Sequence, residues 1–161
     1  MCSPVRASPS GSRWSTSSTR NGDSGRSRST VQSAVIDASA VASLLLGRME
    51  AAAVGATLLH HDVIVPGVFD AEVLSVIRHA WLNGELEDSD ALDALHHLVT
   101  MPVERVPDVT LLYDAWSLRH NVSASDALYV ALARRLACPL VTLDRRLAAA
   151  PDLGITVIVP G

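Results

Sequence analysis

Residues 33–37 (SAVID) read as a short buried strand that ends on an acid, and residues 38–46 continue at once as an apolar helix. A strand that runs directly into a helix is the opening of a parallel α/β unit. The rest of the chain repeats that alternation. Residues 51–59 are Ala-rich and helical, and residues 61–65 (HDVIV) form a second strand halted by Pro66-Gly67. Residues 68–82 give a long helix with Val68, Val73, Leu74, Ile77 and Trp81 expected to face inward, ending at Asn83-Gly84. A helix over 89–100, a strand over 103–106, and helices over 108–120 and 123–137 follow. Strands at 139–143 (PLVTL) and 155–159 (ITVIV), with a short helix between them near 145–149, complete the pattern. The expectation is a mostly parallel sheet covered on both faces, with any ligand beyond the carboxyl ends of its strands.

The chain has 161 residues, enough for one ordinary domain. Hydrophobic residues make up 48% and charged residues 19%, as in a globular protein. Three Trp, two Tyr and one Phe argue against a fold that reads nucleic acid through an aromatic stacking platform. Cys2 and Cys138 supply neither a disulfide framework nor a four-ligand zinc site, which fits a reducing, cytoplasmic setting. No run of 18 to 20 uncharged apolar residues is present, so no membrane role is expected.

Charge is unevenly spread. Residues 1–30 hold five Arg, one acid and ten Ser, and the expectation there is a disordered extension ahead of a domain spanning residues 31–161. That domain keeps eight of the thirteen Arg and sixteen of the seventeen acids, a net charge of −8. Every basic residue other than His is Arg. The lack of Lys excludes a P-loop, a Schiff base and a lysine general base. It also argues against a phosphoacceptor receiver module, which needs a lysine near its last strand.

Four acids fall where strands deliver their ends. Asp37 follows Val35-Ile36, Asp144 follows residues 140–143, Asp126 opens the helix after Ser123 and Ser125, and Glu72 lies in the first turns of the helix after the second strand. Carboxylates gathered in a partly desolvated cleft repel one another, and a hard divalent cation relieves that cost. Such a site activates water against a phosphodiester. Taken one at a time the same residues fit blander roles: Asp37 and Asp126 as helix-start acids, Asp144 as the opening of a turn, Glu72 as a solvated helix acid. Asp70, two residues before Glu72, is expected to be solvated. The pairs His60-His61 and His96-His97 lack metal-ligand spacing and are expected at the surface. Arg48, Arg78, Arg134, Arg135, Arg145 and Arg146 are the candidates for holding phosphates.

The segments 35–39 (VIDAS), 69–74 (FDAEVL), 125–133 (SDALYVALA) and 141–147 (VTLDRRL) resemble, in order and context, the successive motifs of PIN-domain ribonucleases, specifically VapC-type toxins. The resemblance covers residues 32–160. It implies a three-layer α/β/α fold with a mostly parallel central sheet. It also implies that Asp37, Glu72, Asp126 and Asp144 are the catalytic acids, with Asp37, Asp126 and Asp144 around Mg²⁺ or Mn²⁺. Ser39 and Thr142 would orient a carboxylate or a metal-bound water. The same resemblance implies an RNA substrate, a homodimer, and a cognate VapB-type antitoxin as partner. The rivals are a catalytically silent PIN-like binding module and a structure-specific DNA nuclease.

Overall fold

The computed structural model describes residues 32–161, and the expected extension over residues 1–30 lies outside the described residues. Five strands form one parallel sheet in the order β3-β2-β1-β4-β5. They are β1 (Gln32–Ile36), β2 (His61–Pro66), β3 (Glu104–Val106), β4 (Leu140–Val141) and β5 (Val157–Ile158). The helices are α1 (Ala38–Leu45), α2 (Ala51–Leu58), α3 (Val68–Leu82), α4 (Asp88–Thr100), α5 (Leu112–Ser117), α6 (Ala124–Leu136) and α7 (Arg145–Ala148).

The central strand explains the arrangement. Ala34, Val35 and Ile36 are all 0% exposed, because a strand covered by helices on both faces has no solvent side on which to alternate. The helices pack as two groups, α1 to α4 together and α5 with α6, and α6 lies along β1, β2 and β4. The result is the three-layer α/β/α architecture. Its core is aliphatic, with Phe69 and Tyr129 as the largest fully buried side chains.

Two expectations need correction. Leu74 and Trp81 were assigned to the inward face of α3, but they are 48% and 45% exposed, and the helix buries Phe69, Val73, Ile77 and Ala80 instead. Helical spacing gives the width of an apolar stripe but not which half meets the core. Leu74 and Trp81 line a shallow groove with Leu92 and Leu95 of α4. Residues 108–120 are not one helix: a 3-10 turn at Asp108–Thr110, braced by the Thr110 hydroxyl donating to the Pro107 carbonyl, precedes α5. The last helix of the α5–α6 pair ends at Leu136, with Ala137 in the left-handed region (φ 50°) as its cap.

Candidate functional site

Register brings the first two site residues together. β1 pairs with β4 so that Ile36 lies opposite Val141, and the Asp37 N–H donates to the Val141 carbonyl. The next residue of each strand, Asp37 and Thr142, therefore emerges at the same edge. Asp37 is 6% exposed and Thr142 is 0% exposed. The Asp37 Oδ2 accepts from Ser39 Oγ and from Thr142 Oγ1, each at 2.6 Å. Both hydroxyls continue the network, since Ser39 Oγ accepts from the Leu143 N–H and Thr142 Oγ1 from the Asp144 N–H.

This geometry shows which of the acids cap the helices they precede. Asp37 occupies the N-cap position of α1, yet its carboxylate makes no capping bond to that helix. Asp144 does cap: its Oδ1 accepts from the Arg146 and Leu147 N–H groups at the start of α7. Asp126 sits in the first turn of α6, where Ser123 is the cap, and its Oδ2 accepts from Ser123 Oγ at 2.7 Å. Glu72 is half-buried one turn into α3, and its Oε2 accepts from the Tyr129 hydroxyl at 2.7 Å.

Tyr129 is the residue that sequence reasoning missed. It lies three positions after Asp126 on α6, on the same face of the helix, and is 0% exposed. Burial, then the bond to and charge of Glu72, then the charge of Asp37, push its phenol far above the ordinary range, so it stays a donor. A tyrosine within an apolar helical stripe looks like core filling. Its spacing from Asp126 was the available signal.

Asp37 and Asp144 follow the carboxyl ends of β1 and β4, and Glu72 meets α6 through Tyr129, but the acids do not close into a cage among the described residues. Among the described residues no three His, Cys, Asp or Glu side chains stand close enough to share one ion position. Asp126 and Asp144 are each bonded to a donor at the start of their own helix. The donor chemistry nevertheless suits a hard cation. Each of the four carboxylates has one oxygen held by a protein donor, while its other oxygen has no hydrogen bond among the described residues. None of them belongs to the ion pairs of the described residues, which are Arg48–Glu85, Arg105–Asp70 and Arg135–Asp114.

Those pairs revise further expectations. Asp70 is not free in solvent but bonds Arg105 through both oxygens, at 2.8 and 3.0 Å, and raises the pKa of that guanidinium. Arg134 is tied to the Leu153 and Asp152 carbonyls, and Arg135 to Asp114 and the Thr110 carbonyl, so both make contacts within the fold. Arg145 and Arg146 are exposed beside Asp144. His60, His96 and His97 are exposed as expected, whereas His61 is half-buried at the start of β2 with Nδ1 2.8 Å from the Thr57 carbonyl.

A parallel five-stranded sheet with acids at the carboxyl end of its central strand and at the starts of α6 and α7 defines a known class. Residues 34–153 match the PIN domain, and the chain belongs to that family. Within it, the relatives it resembles over most of its length are VapC ribonucleases. Ribonuclease VapC1 of Mycobacterium tuberculosis is 44% identical over 123 residues, covering 74% of this chain and 91% of the relative. Ribonuclease VapC12 of the same organism is 38% identical over 114 residues, covering 71% and 88%. The fold matches the crystal structure of Mycobacterium tuberculosis VapC20, described as a sarcin-ricin loop cleaving toxin, with a TM-score of 0.55 at 19% identity over 73% of this chain and 94% of that one. No helix among the described residues is long and apolar enough to cross a membrane.

Proposed function

We propose that this chain is a divalent-metal-dependent endoribonuclease of the cytoplasm, the toxin of a VapBC-type toxin–antitoxin pair, working as a homodimer and restrained by a VapB-type antitoxin. The observation that carries the metal-dependent reading is the half-committed state of the four carboxylates: one oxygen anchored, one left over, and no internal cation to neutralise them. That is how a protein orients ligand oxygens in advance. An all-oxygen, anionic donor set selects Mg²⁺ or Mn²⁺ over zinc. The ribonuclease reading is supported by the 44% identity to a VapC ribonuclease over most of the chain.

Asp37, Asp126 and Asp144 would hold the ion, which when bound supplies Lewis acidity toward a phosphate oxygen and makes water acidic near neutral pH. The protein's own part is positioning. Ser39 and Thr142 keep the Asp37 carboxylate in one orientation. Tyr129 holds one oxygen of Glu72, leaving the other to take the proton of the water that attacks the phosphodiester. Exposed Arg145 and Arg146 supply positive charge at the rim of an otherwise acidic body.

Purified full-length protein tests this with a single-stranded RNA, a matched single-stranded DNA and a DNA hairpin, each with Mn²⁺ or with EDTA. The expected result is RNA cleavage that EDTA abolishes and that a folded Asp37→Asn variant lacks. Preferential cleavage of the hairpin assigns the site to DNA. No cleavage of any substrate by folded protein supports the silent binding module and refutes the enzyme.

A further inference from the structure

We propose that the cavity between the start of α3, α5 and the start of α6 is a base-binding subsite, which seats an unpaired nucleobase next to the scissile phosphodiester with Trp116 as its stacking surface. The inference rests on the ribonuclease reading above and adds to it the contact that would set which RNA positions are cut.

The cavity has a volume of about 610 Å³, inside the roughly 300–1,000 Å³ range of small-ligand sites. It shares its walls with the candidate site. Ser123, which bonds Asp126, lines it together with Ser125, and Val68 lines it one helical turn before Glu72 on the same face of α3. A substrate whose phosphate lies against those acids would therefore carry its neighbouring base to this opening.

The lining also has the chemistry of a base. It is mostly apolar, and no carboxylate contributes to it, although the domain over residues 31–161 carries a net charge of −8. The charged group present is Arg119, whose guanidinium lies 5.4 Å from the centroid of the Trp116 ring. That guanidinium lies over one face of the indole and also donates to the Trp116 carbonyl, so a base would stack on the opposite face, as bases do on aromatic side chains. Trp116 is 68% exposed, and its Nε1–H makes no hydrogen bond among the described residues, whereas that of Trp81 is bonded to Asp88. The Ser125 hydroxyl offers a polar contact to a base edge, since that of Ser123 is already engaged by Asp126. A phosphate would find one guanidinium among apolar walls, so the base is the better fit.

The test uses the full chain with a single-stranded RNA that it cleaves, and with the same RNA carrying one abasic residue moved stepwise across the cut. In the unmodified protein, removing one base beside the cut should raise KM about tenfold, the scale of one stacked base. Trp116→Ala should produce the same rise on intact RNA and no further rise on that abasic RNA, while Trp116→Phe keeps most of the affinity. In EDTA, with Trp14→Phe as a common background, the RNA should quench tryptophan fluorescence in Trp81→Phe but not in Trp116→Phe. Cleavage with a KM indifferent to Trp116→Ala overturns the subsite and leaves the nuclease standing. Quenching at Trp116 without cleavage does the reverse. A Trp116→Ala protein that becomes monomeric while binding RNA as before assigns the cavity to a second copy of the chain and overturns the proposal.

Discussion

Replacing Tyr129 with Phe removes one hydroxyl from a fully buried ring and leaves the packing of that ring in place. What is lost is the 2.7 Å bond to Glu72 Oε2. A hydrogen bond to a charged acceptor contributes about 1.5–3 kcal/mol, and the half-buried Glu72 recovers part of that from water, so a loss of about 1 kcal/mol at pH 7 is expected. The alkaline side gives a sharper signature. Burial first, then the bond to and charge of Glu72, hold the folded phenol far above its ordinary value, whereas the unfolded phenol ionises near pH 10. Above that pH the unfolded chain releases a proton that the folded chain retains, and the parent protein loses about 1.4 kcal/mol per pH unit. The Phe variant has no such loss. Cys138, whose thiol is also pushed up by burial, is common to both proteins and cancels. Urea unfolding from pH 7 to 11 should therefore show a gap of about 1 kcal/mol that is constant to about pH 9, narrows to about 0.6 kcal/mol at pH 10 and closes before pH 11. Parallel alkaline limbs in the two proteins would refute the assignment of Tyr129 as the buried donor.

Thr142→Val keeps the volume of the side chain but strips Asp37 of one hydroxyl donor and orphans the Asp144 N–H. A loss of about 2–4 kcal/mol is expected, seen as a lower urea midpoint with an unchanged slope. Ser123→Ala removes the cap of α6 and the partner of Asp126, and thermal unfolding should report a loss of about 1 kcal/mol. Ala137→Gly should stabilise by roughly 0.5–1 kcal/mol, since Ala137 ends α6 at φ 50°, where glycine is unstrained; a lower Tm would contradict this.

The strand ends were legible because the apolar runs that make β1 and β4 stop on Asp37 and Thr142, and a parallel register does the rest. The bounds of α3 were legible too, fixed by Pro66-Gly67 before it and Asn83-Gly84 after it. Contacts between distant segments were not. Tyr129 with Glu72, Arg105 with Asp70, and Arg134 with the Leu153 carbonyl join residues whose separation in sequence carries no local signal. The direction of the acids was also hidden, because a residue that opens a helix can turn either to its own N–H groups or across to another strand. Asp144 turned to its helix and Asp37 turned across. Leu74 and Trp81 show the same limit on α3, where periodicity places them in an apolar stripe whose outer half faces α4 and solvent.

The bond between Thr142 Oγ1 and Asp37 Oδ2 spans 105 positions of the chain. During synthesis a ribosome therefore produces the carboxylate long before it produces the hydroxyl that steadies it, and the partial chain has neither β4 nor the start of α7 to finish the edge of the sheet. A chain cut short before Thr142 therefore lacks the partner that fixes the orientation of the Asp37 carboxylate.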